Sequence, residues 1–222
     1  MPCALMLDLA EALDPLLNRR AEQLEKGLLD DEDVGDTTLQ LVFFDGEEAF
    51  KDWTHTDSVY GARSVFITIS NCQEIIVPSS RHLAEKWSST YLPPHSKRRL
   101  STTTTELGTI EHLILLDLLG AKDPRVQSFF LDTAWLFDKL VSSEKRLSES
   151  GVLGLNAEVK GLKSFFVPRV DALHNYGFIE DDHVPFMQRG VSILHVITNP
   201  FPKVWHRLSV RPSLDRLIRR FE

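Results

Sequence analysis

Thr38-Leu39-Gln40-Leu41-Val42-Phe43-Phe44, followed at once by Asp45-Gly46-Glu47-Glu48, is the stretch on which the fold turns. Its β-branched, aromatic and aliphatic residues end in a continuous apolar run, which reads as a strand buried on both faces. Two other stretches share the pattern. Ile110 to Gly120 is an apolar run with Asp117 near its end and a glycine after it, and Ser192 to Ile197 is a third run with His195 inside it. Between these two, Phe129 to about Leu147 sets Phe130, Ala134, Phe137, Leu140 and Val141 on one helical face. Strands of this kind alternating with helices predict an α/β sandwich with a central, mostly parallel sheet. Ligand sites in such sheets lie where the strands end.

Upstream, Pro2 to about Glu25 reads as an amphipathic helix. Leu5, Leu9, Ala12, Leu13, Leu16 and Leu17 recur at helical spacing, and Pro15 marks a kink or an end. Leu28 to Asp36 carries five acids, without the ligand spacing of an EF-hand, and reads as a solvated loop. The start, MPCALMLDLAEAL, lacks the basic region of a signal peptide, which taken literally places the chain in the cytosol.

Of the 222 residues, 42% are hydrophobic and 26% charged, a balance that supports a packed core and excludes a disordered tail. The net charge of −7 gives no overall footprint for nucleic acid. No apolar run reaches the roughly 18 residues of a transmembrane segment. The two cysteines, Cys3 and Cys72, form no zinc or redox motif.

The acids at the strand ends are the candidate chemistry. In Asp45-Gly46-Glu47-Glu48, neighbouring carboxylates in a turn point in different directions, so one can hold a metal while the other faces a substrate proton. Asp117 is either at a strand end or buried with partners. Asp181-Asp182-His183 precedes Val184-Pro185 and reads either as a site or as an N-cap cluster. His195 reads by default as a core histidine. Phe201-Pro202-Lys203-Val204-Trp205-His206 is an aromatic loop ending in a possible metal ligand. A catalytic zinc ordinarily takes three protein ligands, which these residues alone do not supply.

Taken in order, LVFFDGEEAFKDW (41–53), DSVYGAR (57–63), LILLDLLGA (113–121), EDDHVPFMQRGVSILHVI (180–197) and PFPKVWH (200–206) closely resemble animal glutaminyl-peptide cyclotransferases. The resemblance covers most of residues 2–206. It implies the three-layer α/β/α fold of the zinc aminopeptidases and conversion of N-terminal glutamine (or glutamate) of peptides and proteins to pyroglutamate. It casts Glu47 as the catalytic glutamate, Glu48 and His206 as ligands of one zinc ion, and Asp117 and Asp181 as acids around the leaving ammonia and the substrate amine. Trp53, His195, Phe201 and Trp205 would line the substrate pocket. The family works in the secretory pathway, secreted or in the Golgi lumen.

Three departures accompany the resemblance. The family's first zinc ligand, an aspartate, lies upstream of the helix that begins Pro2-Cys3-Ala4, as does the partner of the family's cysteine at position 3. Asp8, inside the helix, is no substitute. Residues 64 to about 81 read as an insertion, whose strand-like Val65, Phe66, Ile67, Ile69, Ile75, Ile76 and Val77 make an exposed apolar patch unless covered. Residues 207–222, with five arginines, read as a divergent basic tail. The expectation is therefore a partial catalytic domain over 1–206, weakened zinc binding and little cyclase activity. A zinc aminopeptidase-type hydrolase and a non-catalytic splice-variant protein are the alternatives.

Overall fold

The computed structural model describes residues 1–28, 38–44, 47, 54, 64–68, 74–77, 80–93, 103–121, 123–151, 164–171, 177–203 and 205. In chain order these form α1 (Pro2–Glu25), β1 (Gln40–Phe43), β2 (Ser64–Thr68), β3 (Glu74–Val77), α2 (Ser80–Ser89), a 3-10 turn (Leu107–Thr109), β4 (His112–Asp117), α3 (Ala134–Glu149), α4 (Val184–Met187) and β5 (Ser192–Ile197). β1, β2 and β3 make an antiparallel sheet in that order, and β4 pairs with β5 in a parallel one. A parallel pair requires a crossover, and the segment between β4 and β5 carries α3 and α4. The predicted α/β class is the class observed.

The helix predicted from Pro2 to Glu25 forms over that span and runs through Pro15. Leu5, Leu9, Leu16 and Leu17 on it are exposed. β5 forms over Ser192–Ile197 and is buried on both faces from Ile193 onward, as its unbroken apolar run requires. β1 differs from its reading. It pairs antiparallel with β2, Gln40 opposite Thr68 and Phe43 opposite Val65. Leu41 is buried, Gln40 is exposed, and Val42 and Phe43 are half-buried. A short apolar run cannot by itself separate a central parallel strand from an antiparallel one. Here the partner strand comes from the stretch read as an insertion. The side chains that were to form its apolar patch lie outside the described residues.

α3 begins five residues after its predicted start, with Thr133 at its N-cap. Phe129 is buried, but in the irregular segment ahead of the helix, so its apolar character reflects core packing and not helical periodicity.

The chain divides into two compact units, 1–115 with 177–194, and 116–176 with 195–222. In the first, α2 packs on α4 and on the 3-10 turn. Leu41, Leu83, Ala84, Leu107, Phe186 and Val191 are buried there. α4 passes into β5 through a Schellman-type end: the Val191 N–H donates to Phe186 O (3.2 Å) and the Gly190 N–H to Met187 O (2.9 Å). Gly190 sits at φ +90°, a conformation costly for any residue with a Cβ.

In the second unit, Val126, Phe129, Phe137, Val196 and Ile197 are buried. Arg169 clamps Asp138 of α3 in two bonds, Nε to Oδ1 at 3.1 Å and Nη2 to Oδ2 at 2.6 Å. The hydrogen bond from this guanidinium, aided by its charge, holds the Asp138 carboxyl below its ordinary pKa of 3.8. A lowered folded-state pKa means stability that is present above the unfolded value and lost as pH falls through the folded one. Asp138 is half exposed, so solvent screening keeps the effect small. Thermal unfolding of Asp138→Asn is therefore expected slightly below the parent at neutral pH. The gap should narrow as pH falls below 3.8 and close below the lowered folded-state value. An unchanged gap in acid would remove the ion pair as its cause.

Candidate active site

Two of the acids expected to carry the chemistry, Glu47 and Asp117, sit where strands stop. Asp117 is the last residue of β4 and half-buried, which answers the sequence alternative in favour of a strand end. The next residue, Leu118, lies at φ 52°, an unusual left-handed conformation that turns the chain sharply beyond the carboxylate. Such outliers gather at functional sites. Glu47 follows the end of β1 and is half-buried.

In the first unit, the loop before α4 holds Asp181, Asp182 and His183, with exposures of 4%, 7% and 0%. Burying carboxylates costs free energy unless hydrogen bonds compensate. The Asp182 N–H donates to Asp181 Oδ1 at 2.7 Å. The N-cap reading of this cluster does not hold: His183 occupies the N-cap of α4, and no side chain caps the helix. The Val184 N–H donates instead to the Asp181 main-chain carbonyl at 3.0 Å. Pro185, within the first turn, has no N–H to satisfy, so the short helix needs little capping.

A carboxylate oxygen of Asp181 and a ring nitrogen of His183 lie within 4.8 Å of one another. This is a His/Asp cluster of the donor types that hold a metal ion. Phe178 meets the His183 ring edge-on at 5.9 Å. The sequence places His183 in the 181–183 cluster but assigns it no role of its own. Its signal was a histidine placed between two acids and a proline, a pattern that does not reveal burial.

Phe186 anchors this loop. Its ring is fully buried and touches Phe44 (centroids 5.9 Å apart) and Trp87 of α2 (6.2 Å). Phe44 precedes Glu47 by three residues, and Phe186 follows His183 by three. One aromatic cluster therefore ties the segment leading to Glu47 to the loop bearing Asp181 and His183.

In the second unit, His195 is 2% exposed, with its ring against Phe129 at 5.7 Å. Phe201 and Trp205 meet edge to face at 4.8 Å. The Trp205 N–H donates to Pro202 O at 2.9 Å, and this bond closes the loop. Trp205 remains 42% exposed. Glu48, Trp53 and His206 lie outside the described residues.

The sequence matches the profile of Peptidase family M28 over residues 1–209. It is 40% identical over 220 residues to the glutaminyl-peptide cyclotransferase of Bos taurus, covering 97% of this chain and 50% of that protein. It is 38% identical over 223 residues to the glutaminyl-peptide cyclotransferase of Boiga irregularis, covering 98% and 51%. Among solved structures it resembles the glutaminyl cyclase of Macrostomum lignano, with a TM-score of 0.54 and 40% identity over 75% of this chain and 44% of that one. The chain spans about half the length of the curated relatives it matches.

Proposed function

The chain belongs to peptidase family M28, and from that premise we propose that it is a glutaminyl-peptide cyclotransferase, closing N-terminal glutamine of peptides and proteins to pyroglutamate with release of ammonia. The observation that carries this reading is the buried Asp181 loop, held by the same Phe186 that anchors the approach to Glu47.

In the reaction, the α-amine nitrogen attacks the γ-amide carbon, a ring C–N bond forms, and the bond to the amide nitrogen breaks. Glu47 takes the proton from the attacking amine and returns it to the departing nitrogen, so no proton is gained or lost overall. Asp117 and Asp181 accept hydrogen bonds from the amine and from the leaving ammonia. Both reacting groups belong to one residue, so the pocket need only hold the curled conformer. The resemblance assigns Trp53, His195, Phe201 and Trp205 to the lining of that pocket. By this reading Glu48 and His206 would hold zinc, a carboxylate and an imidazole that make two of the three protein ligands a catalytic zinc ordinarily takes; among the described residues, Asp181 and His183 present the same pair of donor types. Zinc, when bound, polarises the γ-amide carbonyl as a Lewis acid. The same reading places the protein in the secretory pathway.

Ammonia release from a glutamine-initiated peptide, measured with the 222-residue chain at increasing zinc, tests the reaction. Ammonia release that matches formation of a blocked N-terminus supports it. Hydrolysis of an aminoacyl amide without cyclisation, with two metal ions bound, would replace it by the aminopeptidase reading. Failure to bind both zinc and peptide would favour the non-catalytic one. His206→Ala is expected to lower zinc occupancy while His183→Ala retains it. The reverse result moves the metal to the Asp181–His183 cluster.

A further inference from the structure

Three extended segments of the second unit lie side by side. Residues 125–127 are in the middle. On one side, the Val126 N–H donates to Phe165 O and the Val167 N–H to Val126 O, both at 2.8 Å. On the other side, the Asn199 N–H donates to Arg125 O at 2.8 Å, and the Arg125 N–H to Thr198 Oγ1 at 3.1 Å. The Asn199 side-chain amide adds a bond to Gln127 Oε1 at 2.9 Å. Val126 bridges to Phe166 and to Thr198 alike. Asn199 and Pro200 then lead directly into Phe201 and Trp205.

The outer segment is pinned from α3 by one side chain. Glu144 Oε1 accepts the Phe165 N–H at 2.6 Å, and Oε2 accepts the Phe166 N–H at 3.3 Å and the Ser164 hydroxyl. Three donors converging on one carboxylate make a charge-assisted anchor, stronger than neutral bonds of the same geometry. Phe166 is seated as well against the buried Phe137 ring of α3, edge to face at 6.0 Å. No glutamate is needed to terminate α3 here: the helix continues past Glu144 to Glu149.

We propose that Glu144 is a positioning residue for the Phe201–Trp205 loop, acting through Phe165–Phe166, Val126 and Thr198–Asn199. The proposal rests on the reading of Phe201 and Trp205 as walls of the glutamine pocket, and gives that pocket a support far from the reacting atoms. Removing the carboxylate frees the 164–166 segment. The middle segment loses its fixed neighbour, and the aromatic loop loses its register.

The chain has four tryptophans, so 5-fluorotryptophan labelling yields a countable set of 19F resonances, with Trp205 assigned by Trp205→Phe and Trp87 by Trp87→Phe. Glu144→Ala is expected to shift the Trp205 resonance and leave that of Trp87 in place. Glu144→Gln retains one acceptor oxygen, and its shift is expected to be smaller. A Trp205 resonance at the parent position in a folded Glu144→Ala overturns the proposal. If that variant unfolds, shown by loss of the Trp87 resonance, Glu144→Gln decides: a moved Trp205 resonance supports the role and an unmoved one overturns it. Adding a glutamine-initiated peptide to the parent tests the pocket separately. A Trp205 resonance that responds to Glu144 substitution but not to the peptide keeps the positioning role and removes the pocket reading.

Discussion

Phe186→Ala is expected to destabilise the protein by about 3–5 kcal/mol, the range for truncating a fully buried phenylalanine. The ring is 0% exposed and meets Phe44 and Trp87 in tilted and edge-on contacts. Such pairs add to the simple burial of area. The substitution leaves a cavity that two large rings border, and neither can fill it without leaving its own place. A domain is held by only about 5–15 kcal/mol, so the loss is a large fraction of the total. Urea unfolding checks it, with Phe178→Ala as the control. Phe178 is 49% exposed and its truncation should cost far less. A loss under about 1 kcal/mol for Phe186→Ala would show that the cluster does not organise this unit.

Glu47→Gln carries the second large effect. It keeps the shape of the side chain and removes its ability to take a proton. General acid–base groups contribute roughly 10²–10⁴-fold to rate, and a loss of that size in kcat is expected for pyroglutamate formation. KM should change little, because the aromatic walls and the acids that hold the substrate stay in place. Zinc occupancy should also be retained, since Glu48 and not Glu47 is assigned to the metal. Ammonia release at saturating peptide, with metal content measured on the same sample, separates the two roles. Parent-level turnover would remove Glu47 from the chemistry. Lost zinc with lost turnover would exchange the roles of the two glutamates.

The placement of some candidate residues is legible in the sequence because its signals are local. Asp117 follows an apolar run, which leaves a strand end or a buried, partnered carboxylate, and the structure selects the strand end. His195 lies inside a run whose buried neighbours on both sides hold it in the core. The errors were local too. Phe129 was assigned to a helix because its spacing fitted one, although the residue packs in the coil before α3. Of the two readings open for the acids at 181 and 182, the N-cap falls away, because a four-residue helix beginning Val184-Pro185 has little use for one.

The sequence by itself determined several elements and the position of two candidate acids: α1 over Pro2–Glu25, β5 over Ser192–Ile197, and Glu47 and Asp117 at the exits of strands. Hydrophobic periodicity and apolar runs act between residues a few positions apart, so a linear reading captures them. Tertiary structure alone decided that β1 pairs antiparallel with the stretch read as an insertion, and that Phe44, Trp87 and Phe186 share a cluster. It alone showed that Glu144 accepts main-chain hydrogen bonds from a segment more than 20 positions away. Such contacts depend on the path of the chain between the partners, and no spacing rule encodes that path. The acids proposed to react are visible in the sequence, while the packing around them emerges only when the chain closes on itself.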